Sequence, residues 1–514
     1  MRSAQRAAAA AKSGPIAALR PEADIKRVAI PLAALSTPVD WATIRDMSEG
    51  QALFAVLRQS AAAVAAEAIE RLVQEASDRD LNRINVLDLA ARLGMDEERL
   101  IAAFLHAARL GLFELSWNVL CPGCGGVLDA SATLKSFDRD EYGCALCAAG
   151  YEPTLDEMIE VTFTVSPRIR RIAAHDPQQL PIWEYCRQVF WSSGIDLPPD
   201  FESIIEEITL DSLELPAGEK AIISLQLPAE FLIVFDPVTH ATQFLDVKGE
   251  PTRERQALTL VFNNVKAPTG KMELRPGPLR ITLENRTNAR VLPAIWVAGD
   301  QLHDLLGRRK PFLTAKRLLT NQTFRDIYRT DTLDVDQRLK ITSLTFLFTD
   351  LKGSTALYER VGDLVAFDLV RAHFRVLTEI IASEAGAVVK TMGDAVMATF
   401  PTPDRALAAA LRIRAAMRKL NEERGSEDLL LKIGIHEGPC LAVTLNDRQD
   451  YFGQTVNIAS RVQGLATSSS IYATGPVIVG PRSSNILESA GLKPCPQDTA
   501  LRGITESIAI YEIP

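Results

Sequence analysis

The tightest constraint on this chain lies in its last third, where three short segments set polar residues at the ends of apolar runs. The first, LTFLFTDLKGSTALYERVGD, reads as a buried strand that ends at Asp350 and turns through Gly353, Ser354 and Thr355 into a helix. Such a turn aims backbone N–H groups and a helix N-terminus at an anion. Taken alone, Asp350 reads first as a turn or cap residue. The second segment, VVKTMGDAVMATF, reads as two strands joined by a tight turn at Gly393, which delivers Asp394 beside the end of the first strand. Two carboxylates so placed repel one another unless a cation joins them, and together they can bridge two divalent ions. The third segment, QDYFGQTVNIASRVQGLA, carries Asp450, Asn457 and Arg461. Asn457 and Arg461 are four apart and share one helix face, and an arginine beside an amide suits ribose and a transferring phosphate.

In this order and spacing, with GIHEGPC at Gly434 to Cys440 and the terminal LRGITESIAIYEI, these segments resemble the class III adenylate and guanylate cyclase family over 341–514. The resemblance implies an α+β ferredoxin-like domain with helices on one face of its sheet and active sites formed between two domains packed head to tail. It implies that Asp350 and Asp394 hold two Mg²⁺ or Mn²⁺ ions, with the Leu351 carbonyl as a further ligand, and that Gly353, Ser354 and Thr355 lie along the triphosphate. Asn457 matches the ribose-positioning asparagine and Arg461 the arginine at the α-phosphate. Where the family carries a phosphate-binding lysine near the C-terminus, this chain has Arg502.

Lys390 stands where the family has Lys in ATP users and Glu in GTP users, and Asp450 stands at its partner position. A donor paired with an acceptor suits the N1 and N6 edge of adenine, whereas guanine presents the opposite polarity. A surface ion pair is the plain alternative. His436, in the strand-like GIH, reads as a packing residue. The expectation is an adenylate cyclase that forms 3′,5′-cyclic AMP and pyrophosphate from ATP in a homodimer. A guanylate cyclase and a silent nucleotide-binding regulatory protein are the alternatives.

At 514 residues the chain exceeds one core, so several domains are expected upstream. The first, 1–36, reads as a disordered tail. Helical spacing over 37–118, with a break at Gly94 and acidic Asp96, Glu97 and Glu98 after it, reads as a winged-helix-like unit. Its acidic start and the net charge of −9 argue against nucleic acid as partner. Over 119–165, Cys121 and Cys124 form one CxxC knuckle and Cys144 and Cys147 a second, a spacing that fits one structural Zn²⁺ in a zinc ribbon. A connector (166–200), a β-rich sandwich or barrel with antiparallel strands (201–299) and a helical linker (300–340) precede the cyclase domain (341–514). The β-rich region reads as a sensor for an unknown regulatory ligand or protein. No stretch has the length of a transmembrane segment, and the expected location is cytoplasmic.

Overall fold

The computed structural model describes residues 49–137, 139–263, 270–328, 339–445, 448–467, 470–497, 501, 504 and 508–514. The expected tail and Arg502 lie outside the described residues. No helix among the described residues is long and apolar enough to cross a membrane.

Among the described residues, the N-terminal apolar spacing folds as four helices, α1 (Glu49–Ser60), α2 (Ala63–Glu75), α3 (Val86–Leu93) and α4 (Glu97–Arg109). Asn85 caps α3 by accepting from the N–H groups of Leu87 and Asp88, and Asp96 caps α4 by accepting from that of Arg99. Both caps follow from short polar side chains placed just before apolar runs. The acidic start of α4 is engaged within the molecule: Arg317 pairs with Glu97 at 2.6 Å and with Glu98 at 2.8 Å. Next, β1 (Phe113–Leu120) forms the centre of an antiparallel sheet between β2 (Val127–Ser131) and β5 (Ile159–Val165), while β3 (Tyr142–Cys144) and β4 (Ala149–Tyr151) make a separate hairpin.

After α5 (Phe201–Glu207) come eight strands: β6 (Thr209–Ser212), β7 (Lys220–Leu227), β8 (Phe231–Phe235), β9 (Thr242–Val247), β10 (Gln256–Phe262), β11 (Gly270–Leu274), β12 (Gly277–Asn285) and β13 (Ala294–Val297). A five-stranded sheet in the order β11-β9-β8-β13-β6 and a three-stranded sheet in the order β10-β12-β7 share one core that includes Leu232, Leu245, Ile281 and Leu283. The expected antiparallel pairing is corrected in two places, since β10 runs parallel to β12 and β11 parallel to β9. The connections explain it: β10 reaches β12 only after the chain has crossed to the other sheet as β11, so no tight hairpin forces reversal.

The segment expected as a linker is, over 300–328, a packed element. Its helices α6 (Asp300–Gly307), α7 (Ala315–Leu319) and α8 (Gln322–Ile327) bury Leu318, Leu319 and Phe324 in the same core as α4 and β1. The Phe324 ring meets Trp117 edge-on at 5.8 Å. Polar sequence between these apolar positions disguised the burial, because short helices show too few turns for a clear stripe.

The C-terminal strands are β14 (Leu339–Leu351), β15 (Ala387–Met392), β16 (Ala395–Phe400), β17 (Leu431–Leu445), β18 (Arg448–Phe452), β19 (Ile471–Thr474), β20 (Cys495–Gln497) and β21 (Ile510–Ile513). They form one sheet in the order β15-β16-β14-β17-β19-β21-β20, with β18 paired to β17. Its helices are α9 (Ser354–Val361), α10 (Asp363–Ser383), α11 (Pro403–Arg424), α12 (Gln454–Leu465), α13 (Gly475–Val479) and α14 (Pro481–Ser489). Strand alternation sends Leu347 and Leu351 of β14 toward α10 and α11, and Leu344, Phe346 and Phe348 into the core shared with the N-terminal helices. The sheet is therefore covered on both faces. Helices on one face only, as the resemblance implied, is corrected here: α12 crosses the opposite face. It comes so close that a Cβ at Gly434 would lie 2.2 Å from the Gln463 backbone nitrogen.

Candidate active site

β14 ends where its neighbours deliver charge. Asp350 pairs in register with Lys432 of β17 on one side. On the other side, Thr349 pairs with Val396 of β16, which leaves Asp350 next to the turn that carries Asp394. Gly393 makes that turn possible by adopting a φ of +65°, where a Cβ would be strained. Burial, and then the Asp394 carboxylate, push the Asp350 pKa above the usual carboxylate range, opposed by Lys432 and by hydrogen bonds from the Leu351 backbone and the Gln463 side chain. Asp394 Oδ2 is buried and has no hydrogen-bond partner. An orphaned carboxylate oxygen beside a second, destabilised carboxylate is the donor set of a divalent cation, so these residues fit the metal that the resemblance implies.

The Leu351 side chain is buried beneath this site, and its position at the end of β14 leads directly into the loop. Gly353 and Ser354 lie where that loop enters α9, and Thr355 is the second residue of the helix. Lys390 on β15 and Asp450 on β18 are brought together, with Nζ 2.6 Å from Oδ2. Asp450 is largely enclosed and Lys390 is 42% exposed, so the lysine of the pair stays accessible from solvent. Asn457 and Arg461 both lie on the exposed side of α12.

α12 does not present Arg461 on the side that meets Asp350. Gln463, two residues beyond Arg461, hydrogen-bonds Asp350. Two residues are about 200° apart around a helix, so Arg461 leaves α12 on the side away from its own Asp350. Gln463 and Lys432 are neighbours of Asp350 that sequence reasoning missed. A signal existed for Gln463, an amide on the sheet-facing stripe of α12 with Val456 and Ala459. His436 is buried, hydrogen-bonds Thr474 through Nδ1 at 2.8 Å and is pushed down to about 4 by burial, in keeping with packing.

A second cluster lies in the N-terminal half. The four sulfurs of Cys121, Cys124, Cys144 and Cys147 all lie within 4.8 Å of one another. Cys121 to Cys147 is 3.6 Å and Cys124 to Cys144 is 3.7 Å. A disulfide needs about 2 Å, whereas a tetrahedral zinc thiolate site needs about 3.8 Å between sulfurs. Gly123 lines the knuckle, where a Cβ would stand 2.9 Å from the Cys147 sulfur.

Residues 47–326 match the model of a family of unknown function (DUF5939), and residues 337–485 match that of the adenylate and guanylate cyclase catalytic domain. The chain is similar to an adenylate cyclase of Anabaena cylindrica, 31% identical over an alignment of 185 residues that covers 33% of this chain and 36% of the relative. It is also similar to adenylate cyclase 2 of Rhizobium meliloti (strain 1021), 33% identical over an alignment of 132 residues that covers 23% of this chain and 36% of the relative. The matches thus span 36% of the length of each of these relatives. Among solved structures, the adenylyl cyclase CyaB from P. aeruginosa aligns at 21% identity over 34% of this chain and 95% of that chain, with a TM-score of 0.31. Over more than half its length the chain belongs to the DUF5939 family, and it carries an adenylate and guanylate cyclase catalytic domain after it.

Proposed function

We propose that this chain is an adenylate cyclase that forms 3′,5′-cyclic AMP and pyrophosphate from ATP. The observation that carries the reading is the Asp350–Asp394 pair at the ends of neighbouring strands, with a buried carboxylate oxygen that no protein group satisfies. Two Mg²⁺ or Mn²⁺ ions bound there would neutralise phosphate charge and acidify the 3′-hydroxyl for in-line attack on the α-phosphorus. The backbone around Gly353, Ser354 and Thr355 borders the triphosphate. Lys390 donates to adenine N1 while Asp450 accepts from the N6 amino group, and the 2.6 Å pair presents both at once. Asn457 orients the ribose and Arg461 stabilises charge on the transferring phosphorus.

Because Arg461 leaves α12 away from its own Asp350, the reading takes the metal carboxylates from one protomer and Lys390, Asp450, Asn457 and Arg461 from its partner. A homodimer with two equivalent sites satisfies this. Base selectivity tests the substrate: Lys390→Glu should lower the ATP-over-GTP preference by about a hundredfold, since it reverses the polarity facing the base edge. An unchanged preference in a folded variant contradicts the assignment.

The four thiolates are assigned one structural Zn²⁺, which suits a reducing compartment such as the cytoplasm. Metal analysis of protein purified without chelator should return one zinc per chain. Cys124→Ser should lose the zinc and at least about 3 kcal/mol of stability in the N-terminal half. Protein that is fully folded and free of zinc would exclude this assignment. The N-terminal half is read as regulatory, since it packs directly on the cyclase sheet.

A further inference from the structure

We propose that α8 sets the base-recognition pair: Gln322 and Arg325 hold a β-bulge at Val389 that turns Lys390 toward Asp450. This rests on the adenylate cyclase reading of that pair. In the ladder between β15 and β16, Val388 faces Ala398 and Lys390 faces Met397, so Val389 is an extra residue. A bulge leaves backbone groups without ladder partners and redirects the side chain that follows it.

α8 takes up those groups. Gln322 Oε1 accepts from the Val388 N–H at 2.8 Å. Arg325 Nη2 donates to the Val389 carbonyl at 3.4 Å and to the Gln449 carbonyl at 2.8 Å. One guanidinium therefore clasps the residues directly before Lys390 and directly before Asp450, on two strands that do not pair with each other. β18 is fixed a second time. The Tyr451 hydroxyl accepts from Gln449 Nε2 at 2.9 Å and donates to the Leu319 carbonyl of α7 at 3.4 Å. Its ring packs edge-on against Phe346 at 5.6 Å, and burial pushes the phenol up to about 12.

α7 and α8 are in turn held by the N-terminal helices, through Arg317 with Glu97 and Glu98 and through an Asn321 hydrogen bond to Glu98 at 2.8 Å. The spacing between Lys390 and Asp450 is thus fixed by a positioning residue of the N-terminal family region rather than by the cyclase sheet alone. Displacement of α8 would move the bulge and β18 together, and the donor and acceptor would no longer match one base edge.

The test is calorimetric binding of a non-cyclisable ATP analogue and its GTP counterpart, with Mn²⁺, to the full chain. Variants are Arg325→Ala, Arg325→Lys, Gln322→Ala, Lys390→Ala and the double variant Arg325→Ala with Lys390→Ala. Arg325→Ala should weaken the ATP analogue about tenfold and leave the GTP analogue unchanged. Gln322→Ala should act in the same direction to a smaller extent, and Arg325→Lys should recover part of the loss by reaching one carbonyl. In the double variant the Arg325 change should cost less than it does alone, because its effect through Lys390 is already lost and only its hold on β18 and Asp450 remains. Unchanged selectivity in folded Arg325→Ala, or fully additive losses, overturns the proposal. If Arg325→Ala does not fold, Gln322→Ala decides, and unchanged selectivity there overturns it too. A wild-type chain with no preference for the ATP analogue would remove the base-pair reading itself, and this proposal with it.

Discussion

Asp394→Ala should reduce cyclic AMP formation at least about a thousandfold, equivalent to about 4 kcal/mol of transition-state stabilisation, while leaving the fold intact. The two halves of this expectation have separate causes. Asp394 presents a buried carboxylate oxygen without a partner, so its removal deprives the protein of no hydrogen bond from that atom. It also relieves the like-charge repulsion that, after burial, holds Asp350 above the ordinary carboxylate range, and the Asp350 pKa should fall. Stability therefore stays level or rises while turnover collapses. Melting curves and rates measured on the same preparation check the combination. A variant that keeps turnover within tenfold of wild type rules out a metal held between these carboxylates. One that is inactive only because it has unfolded would assign Asp394 a structural role.

The second large effect concerns shared sites. Asp350→Ala and Arg461→Ala chains should each be inactive, and their mixture should regain activity. Random association gives half heterodimers, each with one intact site and one doubly altered, so the mixture should reach about a quarter of the wild-type rate. The basis is the geometry of α12, which directs Gln463 to Asp350 and Arg461 to the other side. Native mass measurement of the mixture establishes that heterodimers exist. No recovery in their presence means that each site is built within one chain.

Legibility in the sequence followed the length of the local pattern. The strand ending at Asp350, the Gly393 turn and the Asn457–Arg461 helix face are local in sequence, so their residues announced the geometry. The two CxxC knuckles did the same for the cysteine cluster. The Lys390–Asp450 contact came from the family resemblance, because sixty residues separate its partners. Beside Gln463, Lys432 and the sheet face taken by α12, three features escaped. The burial of α7 and α8 was missed because helices of five and six residues give no readable stripe. The parallel pairs β10/β12 and β9/β11 depend on a crossing between sheets that no single segment encodes. Arg317 as the partner of Glu97 and Glu98 is a contact over about 220 residues, and it turns an acidic helix start from a mark against phosphate binding into an internal clasp.

Incubating the purified full chain with ATP or with GTP in the presence of Mn²⁺ and identifying the products decides whether it is an adenylate cyclase. ATP should give cyclic AMP and pyrophosphate in equal amounts, with GTP converted at least about tenfold more slowly. Cyclic GMP as the main product, or nucleotide binding without any cyclic product, would contradict it.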